Sequence, residues 1–250
     1  MRHRLQDFKL AAMTITCDKE EWLLVRVSDN KVFIKILYWG SAASGKTTAV
    51  DTLYRITEKE KKDVKPTGNL VKIAMASGST LYFDRGVFQS TKKESIYFHV
   101  YTVAGQSRFS PLRKKIYMGT DGIILVVDAQ RERWEDNIES LKELKAVAGE
   151  DLIKKIPLIV MLNKMDLDNV VSITDVESLL KDEGLWFPAG HELNMWNPII
   201  YETIAIMPQA KNVYRSFSEC ARRTGLYQIW GHGFAPKQTK VKLSDKPADV

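Results

Sequence analysis

The sequence predicts an α/β protein, a mostly parallel sheet with helices on both faces. Three observations predict it. Strand-like and helix-like runs alternate from about residue 32 to residue 225, the pattern of strands joined by crossover helices. Two runs, Gly122–Val127 and Pro157–Leu162, are continuously apolar, as expected of strands covered on both faces. A glycine-bearing loop, Gly40 to Thr47, stands between the first strand-like run and the first helical one, where open α/β sheets place their ligands.

The elements follow in order. Val32 to Tyr38 is rich in β-formers and ends at Gly40; Ala49, Val50, Leu53 and Ile56 then recur at helical spacing. Pro66-Thr67-Gly68 reads as a break. Thr80–Phe88 and Ser95–Val103 read as two strands joined through the polar stretch Ser90 to Glu94. Trp134 to Val147 carries Ile138, Leu141, Leu144 and Val147 on one helical face. Asp175–Lys181 reads as a short helix, Ile199–Tyr201 as the start of a last strand, and Tyr214–Ala221 as a last helix.

Composition sets the class. The 250 residues are 44% apolar and 27% charged, with a net charge of +6, a soluble globular balance. Two cysteines, Cys17 and Cys220, exclude a disulfide framework or a cysteine-rich zinc module. No apolar run reaches the length of a membrane span, no signal-peptide core follows Met1, and neither end carries a lipidation pattern. A cytoplasmic protein is expected, with nucleic acid not called for by so diffuse a charge. Three segments are expected: an extension over 1–31 in which Trp22–Val27 can form an extra edge strand hairpinned onto the first core strand, a main domain over 32–230 with an aromatic insertion near 185–198, and a basic, flexible tail over 231–250. Lysines and arginines in both extensions, such as Arg2, Arg4, Lys237 and Lys240, allow peripheral contact with anionic lipid.

Gly40-Ser41-Ala42-Ala43-Ser44-Gly45-Lys46-Thr47 matches the phosphate-binding pattern G-x-x-x-x-G-K-[ST] between a strand and a helix. Backbone N–H groups of the loop and of the helix start, Thr48 included, point at phosphate oxygens. Lys46 is expected on the β- and γ-phosphates, and the Thr47 hydroxyl on Mg2+. Asn163-Lys164-Met165-Asp166 follows the second buried strand. There the Asp166 carboxylate can accept two N–H bonds from a guanine edge, a donor pair adenine lacks. GTP or GDP is therefore the expected ligand, ahead of an ATP-using kinase or ATPase. The backbone of Glu202-Thr203-Ile204-Ala205-Ile206 can offer N–H groups to the guanine carbonyl, with Ile204 and Ala205 the positions expected to do so.

These stretches, with Thr80-Leu81-Tyr82-Phe83-Asp84, Tyr101-Thr102-Val103-Ala104-Gly105-Gln106 and Gly122 to Asp128, resemble the Ras superfamily of small GTPases. The likeness is strongest to the bacterial MglA-type gliding-motility GTPases, with Arf-like proteins next. The resemblance covers about residues 32 to 225. It implies a P-loop NTPase fold with a six-stranded sheet, and a GTP-hydrolysing switch that is slow without an activator. By resemblance that activator is a roadblock-fold protein. Gly105 would donate its N–H to the γ-phosphate, Gln106 would orient the attacking water, and Thr80 would meet Mg2+ and the γ-phosphate. The alternative is a GTP-bound scaffold or assembly subunit with negligible turnover.

Three departures from the Ras pattern stand out. Thr102 occupies the place of the usual aspartate, and Asp84 is the candidate that replaces it beside a magnesium-bound water. Ala42 puts a methyl group at the third loop position. Ser79 precedes Thr80 where the MglA pattern carries an arginine. Arg108 is a candidate substitute, while Arg131 and Arg133 read as surface residues.

Overall fold

A computed structural model of the chain describes residues 26–28, 30–73, 83–103 and 110–236. Its centre is three parallel strands: β2 (Lys31–Trp39), β7 (Gly122–Asp128) and β8 (Leu158–Asn163). Every residue of β7 and β8 is buried, which is why both runs lack polar alternation. Around them the sheet runs β3 (Val64–Pro66), β5 (Phe83–Ser90), β6 (Ile96–Thr102), β2, β7, β8, β9 (Ile199–Thr203). The six expected strands are the last six of this order.

The seventh, β3, falls where the sequence suggests a break. It pairs antiparallel with β5, Val64 facing Ser90 and Pro66 facing Phe88. Pro66 lacks an N–H, but at the outer edge of a sheet none is needed. Two short strands complete the sheet: β4 (Val71–Ile73) on β5, and β1 (Arg26–Ser28) antiparallel to β2. Because β6 already occupies the other side of β2 from Val32 on, β1 lies in line with β7, below its first pairing at Ile36. It fills a gap within the sheet rather than extending an edge.

Alternate residues of the central strands feed two cores. Leu37, Trp39, Leu125, Val127, Val160 and Leu162 face α3 (Trp134–Ala148) and α4 (Ile173–Asp182). Ile36, Tyr38, Ile124, Val126, Ile159 and Met161 face α1 (Lys46–Lys59) and α5 (Val213–Ile229). α4 starts at a capping box, Ser172 and Asp175 bonding each other's backbone N–H groups. α2 (Ser110–Tyr117) has Pro111 in its first turn; its adjacent lysines hide the helical period in the sequence. α5 outruns the predicted helix because Arg223, Thr224 and Tyr227, polar or amphipathic, continue its buried face.

The aromatic insertion packs on the first core. Trp196 is buried and edge-on to Tyr227, and Arg223 donates to the carbonyls of Trp196 and Asn197 at 3.0 and 2.9 Å. The tail does not begin to leave the body at residue 231. Ala235 N–H donates to Lys154 O, and Trp196 Nε1 donates to Pro236 O. Those two ties fasten residues 231–236; the remainder of the tail lies outside the described residues, as do residues 1–25.

Candidate nucleotide-binding site

The parallel register brings the C-terminal ends of four strands to one edge. Trp39 is level with Leu125, Asp128 with Asn163, and Asn163 with Thr203. The loop Gly40–Gly45 leaves β2 at this edge and turns into α1. Two glycines make the turn possible. Gly40 has φ +151, and a Cβ there would lie 2.3 Å from Val126 O; Gly45 has φ +97, and a Cβ would lie 2.3 Å from Asn163 Nδ2. α1 has no side-chain N-cap and no acidic residue in its first turn, so its leading N–H groups and positive dipole end are open to an anion. Thr47 and Thr48 are exposed at this end.

The carbonyls of the loop are held from outside. Lys46 Nζ donates to Gly40 O at 3.0 Å and Ser41 O at 2.6 Å, and reaches Ser44 Oγ at 3.5 Å. Burial, with the nearby charge of Arg113 adding to it, pushes the Lys46 ammonium down to about 7. A phosphate beside it would favour the charged form again. Arg113, on α2, is ion-paired to Glu143 of α3, lies 4.7 Å over the Trp39 ring and donates to Gly40 O. Burial pushes its guanidinium down to about 10, still charged at neutral pH. Arg133 Nη2 donates to Ala42 O at 3.2 Å. Asn137 accepts from Ser41 Oγ and from Asp128 N–H, and donates to Asp128 O.

The second motif abuts the first. Asn163 Nδ2 donates to Ser44 O at 2.9 Å, and its Oδ1 accepts from Thr203 Oγ1 at 3.4 Å. Lys164, with φ +69, sends its ammonium to within 2.6 Å of the buried Asp128 carboxylate. Asp166 is exposed at the loop tip. Thr52 of α1 donates to Ala205 O at 2.6 Å, tying the phosphate helix to the loop after β9. Ile204 N–H donates to Lys211 O. That bond engages one of the two expected guanine-facing donors and leaves Ala205 as the nearer candidate.

Thr102 is buried at the end of β6, level with Tyr38 just before the loop. Arg85 pairs with Tyr101 across β5 and β6, so Asp84, one residue on, stands level with Thr102. Thr80, Gly105, Gln106, Ser79 and Arg108 lie outside the described residues. Asn137, Arg113 and Arg133 are the residues that sequence reasoning missed or placed at the surface. Asn137 had a visible signal. It shares a stripe with Leu141, Leu144 and Ala148, a polar residue on a core-facing helical face.

A glycine-framed loop with a buried lysine, joined through Asn163 to an Asn-Lys-x-Asp loop at the same sheet edge, defines a GTP-binding protein of the P-loop class. The family model for ADP-ribosylation factors matches residues 23–203. The chain belongs to the ADP-ribosylation factor family of small GTPases. It is 35% identical over 169 residues to the mutual gliding-motility protein MglA of Myxococcus xanthus, covering 64% of this chain and 82% of that protein. It is 30% identical over 148 residues to human ADP-ribosylation factor-like protein 4A, covering 58% of this chain and 64% of that one. The Ras-superfamily, MglA-like resemblance read from the motifs agrees with both. Among the described residues no helix is long and apolar enough to cross a membrane.

Proposed function

We propose that the protein is a cytoplasmic switch that binds GTP and GDP with Mg2+, hydrolyses GTP slowly alone, and turns over faster with a roadblock-fold activator. The observation that carries the reading is the junction of the two motifs. Asn163 bonds Ser44 of the phosphate loop, so the guanine-reading loop and the phosphate cradle are held as one unit.

In this reading the loop N–H groups and Lys46 bind the β- and γ-phosphates. Asp166 accepts the two guanine N–H bonds, Ala205 offers its N–H to the guanine carbonyl, and Lys164 lines the base from its place on Asp128. The exposed Thr47 hydroxyl at the start of α1 suits a hard, oxygen-preferring cation, with Thr80 as its partner and Asp84 and Thr102 as the candidates to hold a bound water. Mg2+, held there, would supply positive charge against the phosphates. Gln106 orients the attacking water, Gly105 N–H meets the γ-phosphate, and hydrolysis removes the γ-phosphate that Gly105 and Thr80 would contact.

The test is nucleotide analysis of the purified protein, followed by a timed single-turnover assay with and without Mg2+. Bound guanine nucleotide and Mg2+-dependent phosphate release are expected. Asp166→Asn is expected to shift preference from guanine to xanthine nucleotides. Copurifying adenine nucleotide, or no release of phosphate at any Mg2+ concentration, overturns the reading.

A further inference from the structure

Arg133 reads from the sequence as a surface residue, and its neighbour Arg131 is one: it is 58% exposed and only 4.0 Å from Asp175. Arg133 is different. It ends a single 3-10 turn after β7, held by Arg133 N–H to Gln130 O and by Val171 N–H to Ala129 O. From this fixed base its Nη2 donates to Ala42 O at 3.2 Å and pairs with Asp136 at 2.8 Å.

The contact falls on a particular peptide. Ala43 has φ +60, a left-handed conformation unusual for a residue with a Cβ. Such a conformation persists only where its surroundings hold it. The Ala42 carbonyl and the Ala43 N–H belong to one planar trans peptide, so they point in opposite directions. Tying the carbonyl to Arg133 aims the Ala43 N–H away from Arg133. The other end of the loop is fixed as well: Ser44 and Gly45 lie against Asn163, on the guanine side. A nucleotide whose base sits by Asp166 therefore passes Gly45 first and meets the Ala42–Ala43 peptide with its outer phosphates.

We propose that Arg133 is a positioning residue for GTP hydrolysis, locking the Ala42–Ala43 peptide so that the Ala43 N–H faces the outer phosphates. This rests on the GTPase reading above. In the step it serves, a water oxygen bonds to the γ-phosphorus, the bond from that phosphorus to the bridging oxygen breaks with its electron pair going to the GDP oxygen, the water's proton passes to a phosphate oxygen or to solvent, and GDP and phosphate leave. The negative charge developing on the phosphate chain is met by a fixed N–H that needs no reorganisation. With Ser79 standing before Thr80, Arg133 and Arg113 are the guanidinium groups that the described residues bring to phosphate-loop carbonyls, Arg133 to Ala42 and Arg113 to Gly40.

The experiment compares the full-length protein with Arg133→Ala, Arg133→Lys and Asp136→Ala. It reads single-turnover hydrolysis at saturating GTP, GDP affinity and melting temperature. Arg133→Ala is expected to slow hydrolysis about tenfold or more, with GDP affinity falling by less than about threefold and the melting temperature near wild type. Arg133→Lys keeps the charge but not the planar guanidinium whose Nη2 meets both Ala42 O and Asp136, and is expected to recover only part of the rate. Asp136→Ala leaves the Ala42 contact in place and is expected within about twofold of wild type. Wild-type hydrolysis in Arg133→Ala overturns the proposal. So does a rate loss matched by equal losses of GDP affinity and stability, or an Asp136→Ala protein as slow as Arg133→Ala. A wild-type protein that binds no guanine nucleotide, or binds it without turnover, overturns the proposal and the GTPase reading together. A normal wild-type rate with an unaffected Arg133→Ala removes the Arg133 assignment alone.

Discussion

The ammonium of Lys164 stands 2.6 Å from the carboxylate of Asp128, and that carboxylate is wholly buried. Asp128 also receives the backbone N–H and the side-chain amide of Gln130. Lys164 thus balances, from the loop after β8, a charge at the end of β7. Lys164→Ala leaves the carboxylate without its cation, and the expected cost is about 3 kcal/mol. Lys164→Ala combined with Asp128→Asn is expected to regain most of it. Urea unfolding of the three proteins checks this; equal midpoints for wild type and Lys164→Ala would show that the pair contributes nothing.

Gly45 and Gly68 separate space from strain. At Gly45 a Cβ would strike Asn163 and break its bond to Ser44; at Gly68, with φ +75, a Cβ meets nothing within 4 Å. Gly68→Ala is expected to cost only the strain of a left-handed residue, about 1 kcal/mol, with nucleotide affinity unchanged. Gly45→Ala is expected to lower GDP affinity about a hundredfold, since it displaces the hydrogen bond joining the two motifs. Isothermal titration of both variants decides it, and similar losses in the two would remove the steric argument.

The legibility of this chain follows the kind of signal each feature leaves. β7 and β8 were readable because a strand buried on both faces must be apolar throughout, as Gly122–Val127 and Pro157–Leu162 are. The phosphate loop was readable because anion binding fixes residue types at fixed spacing. β3 was not, because Val64–Pro66 is three residues at an edge, and its proline signals a break in any local reading. Arg113 and Arg133 were not, because an arginine that reaches a loop carbonyl 73 or 91 positions away leaves no local trace. Their partners are set by where β2, α2 and the turn after β7 meet.

Asn137 joins the phosphate loop to the end of β7 through three hydrogen bonds. Asn137→Ala strands the Asp128 N–H in a buried site, at an expected cost of about 2 kcal/mol. Ser41 loses its partner too, so nucleotide affinity is expected to fall with stability. Thermal melts with and without GDP measure both. A full-stability variant would mean that water replaces the amide.

Cys220 is fully buried among the second core, its thiol pushed up to about 12 chiefly by burial. Only the thiolate reacts with alkylating agents. In a Cys17→Ser background the folded protein is therefore expected to resist iodoacetamide from pH 7 to pH 9 and to take up one equivalent when unfolded in urea. Rapid labelling of the native protein at pH 8 contradicts that burial.

Arg113 raises the question of whether its buried ion pair stabilises the fold or positions the loop. Its guanidinium touches Glu143, the Trp39 ring and Gly40 O at once. Removing one partner of a buried pair strands the other, so Arg113→Ala is expected to cost about 3 kcal/mol. Replacing both with apolar residues of similar size, Arg113→Met with Glu143→Leu, removes that penalty, and stability is expected near wild type. Nucleotide affinity should not follow stability. Both variants leave the Gly40 carbonyl to Lys46 alone and delete a positive charge beside Lys46, so both are expected to bind GDP about fivefold more weakly. Chemical denaturation alongside GDP titration separates the two roles. If the double variant regains affinity together with stability, the pair serves the fold alone; if affinity stays low in a stable protein, Arg113 sets the field and the backbone of the phosphate loop from the far side of β2.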